Sequence, residues 1–132
     1  MVIYGQVAII LNQQHCLGID LDKKCRWELL QRYFNLKNAF PDEDIVVYET
    51  RHGYHLVLPN VETDLELRMI YGDDAMRIEF EEIRSQAHNR EPQDILFHVK
   101  RVIRNGKTVF SYTREVIDIF AEPFWTTGAG CC

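Results

Sequence analysis

The stretch YETRHGYHLVLP, residues Tyr48–Pro59, reads as two β-strands joined at His52-Gly53. Alternation along a strand puts Tyr54 and Leu56 on one face and His55 and Val57 on the other. Gly53 permits either a turn with positive φ or a close backbone approach to a ligand. Taken alone, His55 is a packed strand histidine. Its neighbours in sequence decide whether it is more.

Downstream, Asn60 is placed to cap a helix in which Val61, Leu65 and Met69 recur at i, i+4 and i+8. Gly72 in YGDD ends that helix, and the two aspartates begin the next element. The same four letters occur in the catalytic hairpin of RNA-templated polymerases, whose palm and fingers are far longer than this chain. In MRIEFEEI, Met76, Ile78 and Phe80 alternate with Arg77, Glu79 and Glu81, which predicts a strand. Asn105-Gly106 between two β-rich arms predicts a C-terminal β-hairpin.

Upstream, VAIIL (Val7–Leu11) and CLGIDLD (Cys16–Asp22) read as strands. Residues 23–38 carry Trp27, Leu30, Tyr33 or Phe34, and Lys37 near helical spacing, and Pro41 prevents continuation. The expected order is β-β-α-β-β-α-β followed by a hairpin. That order predicts an α+β fold: a mostly antiparallel sheet with helices on one face. Without a linker-like stretch, residues 1–125 read as a single domain and 126–132 as a loose tail.

Composition sets outer limits. A hydrophobic fraction of 46% with 27% charged residues is that of an ordinary globular chain. No apolar run approaches the ~20 residues of a membrane span, so no membrane association is expected. The first residues lack a basic region and a cleavage site, which leads to a cytoplasmic expectation. Cys16, Cys25, Cys131 and Cys132 form no CxxC pair and read as reduced thiols. A net charge of −5 argues against holding nucleic acid by bulk electrostatics, but not against local binding through metal ions.

Three constellations carry chemistry. Asp20 and Asp22 stand at i and i+2 at a strand end, so both carboxylates project together and repel unless a cation lies between them. A hard ion such as Mg²⁺ takes one or two such carboxylates plus phosphate and water oxygens. The competing reading is that Asp22 caps the next helix and Asp20 is solvated. Second, Thr50-Arg51-His52-Gly53-Tyr54-His55 presents a histidine beyond a glycine, with Arg51 and His52 beside it. Third, Glu79 and Glu81 are candidates for a further carboxylate, or simply a charged outer face.

Taken in order, IDLD, then Thr50-x-x-Gly53-Tyr54-His55, then an acidic residue in a later segment, resemble the catalytic core of archaeo-eukaryotic primases. The likeness is to the primase–polymerase domains of plasmids, phages and viruses, and covers residues 16–82. Asp22 and His55 lie 33 residues apart, and Glu79 or Glu81 a further 24 or 26. The resemblance implies an RRM-like sheet and a nucleotidyltransferase, a primase joining nucleotides on a template during replication of a mobile element. It implies Mg²⁺ or Mn²⁺ on Asp20 and Asp22, with Glu79 or Glu81 as the third carboxylate where the family usually has aspartate. His55 would contact the triphosphate, helped by Arg51 or His52. The implied partners are nucleoside triphosphates, a single-stranded template and other replication proteins. Lys100, Arg101, Arg104 and Lys107 are candidates to line a template path. The alternative is an inactive nucleic-acid-binding accessory module on the same fold.

Overall fold

The computed structural model describes residues 2–4, 7–11 and 16–120, with side chains for 16–96, 103, 105–108 and 113–120. Along the chain come β1 (Val2–Tyr4), β2 (Val7–Leu11), β3 (Cys16–Leu21) and α1 (Arg26–Ala39). There follow β4 (Val46–Glu49), β5 (Tyr54–Glu62), α2 (Leu65–Ile70) and α3 (Ala75–Ala87). The described chain closes with β6 (Phe97–Arg104), β7 (Lys107–Tyr112) and β8 (Arg114–Val116). The strands form two antiparallel sheets, β1-β2-β6-β7 and β3-β5-β4-β8, so the fold is α+β. Asn105 and Gly106 both have positive φ, 50° and 74°, where β6 turns into β7.

Register in the second sheet fixes which residues share a face. Leu17, Ile19 and Leu21 stand opposite Leu58, Leu56 and Tyr54, and Val47 stands opposite Leu56. All of these are buried. They form the core together with Leu29 and Leu36 of α1 and Ile119, with Leu67 and Tyr71 at its margin. The other face carries Asp20, His55 and Tyr48 in one row, with His55 opposite both of the others.

Several expectations need correction. MRIEFEEI is helical, part of the 13-residue α3. Six alternating positions also satisfy a helix, since Met76 and Phe80 are one turn apart. The flanks decide the matter: Asp74 caps the helix by accepting from Met76 N, and Met, Arg and Glu favour it. Nor does Asn60 begin α2. It lies within β5, whose register slips between Leu17 and Cys16, so that Pro59 sits where the ladder is already broken. Asp64 caps α2 instead, accepting from Glu66 N and Leu67 N at 2.8 and 3.1 Å.

α1 packs the expected Leu30 and Tyr33 against the core, but not Trp27 or Phe34. Trp27 is 60% exposed while Leu29 and Leu36 are buried. Its N-cap is Cys25, whose sulfur accepts from Glu28 N, so Asp22 is not a helix cap. Cys25 is also disulfide-bonded while Cys16 is free, so the expectation of reduced thiols fails at Cys25. The helices do not all share one face. α1 and α2 border the core, whereas α3 runs beside the free edge of β3. Among the described residues, no helix is long and apolar enough to cross a membrane. The proposed tail 126–132 lies outside the described residues, as do the side chains of Lys100, Arg101 and Arg104.

Gly53 makes its close approach to the protein itself. A Cβ there would stand 1.7 Å from the Leu21 carbonyl oxygen, so only glycine lets the turn lie against the end of β3. Gly53→Ala should therefore destabilise the chain by about 3 kcal/mol, through the backbone shift that overpacking forces. Urea unfolding measures this, and unchanged stability would show that the turn can move aside.

Candidate functional site

Asp20 and His55 face each other across β3 and β5, with His55 Nε2 3.4 Å from Asp20 Oδ1. His55 is only 8% exposed, so it is a wall residue rather than a surface one. Asp22, just past the end of β3, is exposed. The β4–β5 turn is held by two hydrogen bonds. Thr50 N donates to the Gly53 carbonyl, and Gly53 N donates to Thr50 Oγ1, both at 2.9 Å. Thr50 and Gly53 thus hold the turn, leaving Arg51 and His52 exposed at its tip.

These residues line one cleft of about 640 Å³, within the range of small-molecule sites. Asp20, Asp22, His55, Arg51 and His52 form one side, and Arg77, Glu81 and Arg84 of α3 also line it. Glu79 is exposed and does not line it. Of the two glutamates, only Glu81 reaches the cleft, and it does so from a helix.

The two carboxylates are shifted in opposite directions. Burial raises the Asp20 pKa to about 6, against the pull of Arg77, and Asp73, Asp22 and Asp74 add repulsion. Burial would also raise Glu81, but hydrogen bonds from Arg90 Nη1 at 2.7 Å and Gln93 N at 2.9 Å outweigh it. Glu81 therefore titrates below its ordinary value and is committed to those partners. Among the described residues, no group of three or more His, Cys, Asp or Glu is arranged to hold a metal ion.

A buried network that the sequence did not disclose fixes the α3 side. Asp73 accepts from Asp20 N at 2.7 Å, and Asp94 from Gly18 N at 2.6 Å. Arg77 donates to both aspartates and, at 3.2 Å, to the Gly18 carbonyl. Arg68, 1% exposed, donates to Asp73 at 2.8 Å. Desolvation would lower Arg77, but Asp73 and Asp94 raise it above its ordinary value, so it carries its charge into the cleft wall. Asp73 in YGDD is the part of this network most visible in sequence. Its partners lie 53 residues upstream at Asp20 and on flanking helix turns, beyond the reach of any local pattern.

Two outcomes follow. Asp94→Ala leaves Arg77 and the Gly18 N–H short of a partner in the interior and should cost about 3–5 kcal/mol in denaturant unfolding. For Asp20 the folded pKa is the higher one. The unfolded chain gives up its proton near 3.8 and the folded chain near 6, so wild-type stability falls as pH rises through that window. Asp20→Asn should remove this loss, raising stability at pH 7–8 by at most about 3 kcal/mol, with little change below pH 4. Thermal melts across pH test it, and a variant less stable at pH 7.5 would contradict it. No family model, curated protein or solved structure matches the chain, so the meaning of this cleft rests on its own residues.

Proposed function

We propose that the cleft is a primase–polymerase-type nucleotidyltransferase site, joining nucleoside triphosphates on a single-stranded template in the replication of a mobile element. The observation that supports this is the convergence of Asp20, Asp22, His55, Arg51 and His52, far apart in sequence, on one cleft. The strand order β3-β5-β4, with α1 between β3 and β4, is compatible with the RRM-like reading.

The residues fit a divalent ion to a defined extent. Asp20 sits among Asp22, Asp73 and Asp74, whose repulsion helps raise its pKa, and a cation relieves that repulsion. Asp20 and Asp22 would hold Mg²⁺ or Mn²⁺ together with phosphate and water oxygens, a set that needs no third free carboxylate. Such an ion, when bound, neutralises phosphate charge and favours the ionised form of an attacking hydroxyl. His55, with Nε2 turned to Asp20, lines the cleft beside it and would contact the triphosphate. Arg51 and His52 meet the outer phosphates from the turn tip, and Arg77 adds a fixed charge from α3.

A second reading draws on Glu81. With its carboxylate held by Arg90 and Gln93, the site resembles a nucleotide-binding cleft that has lost a catalytic ligand. The accessory-module reading follows from that. Primer synthesis on single-stranded DNA with Mn²⁺ and nucleoside triphosphates separates the two. Product that falls at least 100-fold in the Asp20→Asn, Asp22→Asn double variant supports catalysis. Single-strand binding without product and without metal-dependent affinity for a triphosphate supports the accessory module, and binding of neither single strand nor triphosphate overturns both.

A further inference from the structure

The outward side of α3 is not explained by folding. The helix buries Ile78, Glu81 and Ser85, while Met76, Phe80 and Ile83 are 60, 50 and 55% exposed. Met76, Phe80 and Ile83 recur at i, i+4 and i+7, so they form one stripe along the helix. Arg77, Glu81 and Arg84 form the adjacent stripe by the same spacing. An apolar strip therefore runs beside a charged one, and Met76 and Phe80 reach the lining of the cleft. Ile95 lines it as well.

A large exposed aromatic beside convergent charged groups marks a binding surface. From this juxtaposition we infer that Phe80, with Met76 one turn before it, is the stacking platform for the nucleobase of a bound nucleotide. The inference rests on the triphosphate-binding reading of the same cleft and adds a base subsite to it. Charge complementarity selects the ligand. With a divalent ion on Asp20 and Asp22, Arg51, His52 and Arg84 suit a polyanion, and an apolar surface at the rim suits a flat, weakly polar ring attached to that polyanion. A nucleotide has both parts in one molecule. Stacking on a phenyl face is tolerant of base identity, because every base presents a π-face. The subsite therefore holds the base without selecting among bases, which leaves selection to pairing with a template. Phe80 carries its ring on a helix whose backbone is anchored beside β3 by the Arg77 ion pairs.

The test is a calorimetric titration of the full chain with ATP and, separately, with inorganic tripolyphosphate, both with Mn²⁺. Wild type should bind ATP more tightly than tripolyphosphate. Phe80→Ala should weaken ATP binding roughly 5- to 100-fold, the usual worth of one stacked base, and leave tripolyphosphate within about two-fold. Phe80→Tyr should retain ATP binding. Because the side chain is half exposed, the melting temperature of Phe80→Ala should stay near wild type and exclude misfolding. Unchanged ATP binding in Phe80→Ala, or equal loss for both ligands, overturns the base subsite while leaving the triphosphate reading intact. Binding of neither ligand by wild type overturns both.

Discussion

The structure depends on how the free edge of β3 is closed. An edge strand leaves backbone N–H groups that must be satisfied or solvated. Here the Gly18 and Asp20 N–H groups meet the Asp94 and Asp73 carboxylates, where a further strand would offer carbonyls. Two buried aspartates are tolerable only with matched cations, and Arg68 and Arg77 supply them, each with further bonds to backbone carbonyls. A hydrophobic replacement could fill this volume but could not satisfy the β3 edge. The network also does what packing cannot: it sets α3 at a fixed distance from β3 and turns Arg77 toward the cleft.

On the other side of β3, the constraint is steric. Gly53 touches the Leu21 carbonyl, and the Thr50 hydroxyl holds the Gly53 N–H. The turn thus lies against the same strand end that presents Asp20 and Asp22. β3 is fixed by charge along its edge and by backbone contact at its end. The cleft lies between the two devices, and its shape follows from them.

The sequence disclosed β3 and the β4–β5 hairpin, because strand alternation is local; the facing of His55 toward Asp20 comes from the β3–β5 register, which no local pattern carries. It misplaced α3 because six residues cannot separate a period of two from a helix with apolar residues one turn apart. The deciding signals lay at the flank, in Gly72 (φ +81°) and the cap Asp74. It left Gly53 between a turn and a ligand contact, because freedom from a Cβ looks the same whether a ligand or a backbone comes near. It missed Arg68, Arg77 and Asp94 because a charged residue in a string carries no mark of burial. Of the site residues nominated from the sequence, Asp20, Asp22, Arg51, His52, His55 and Glu81 line the cleft, and Glu79 lies outside it.

The carboxylates show which part of the site is poised for a ligand. Glu81 is satisfied by Arg90 and Gln93, so a cation there would compete with an existing ion pair and gain little. Asp20 is in the opposite condition. Its own backbone is bound by one buried carboxylate, its side chain is desolvated beside others, and its proton affinity is raised. A group held in an unfavourable charge state by the surrounding fold is one that a cation can relieve, and the relief is itself binding energy. Structural ion pairs such as Arg77–Asp94 lack this property, because their charges are already matched. On that physical ground Asp20, rather than Glu81, is the carboxylate of this cleft open to a cation, and the helix that carries Glu81 brings Arg77 and Phe80 to the same cleft.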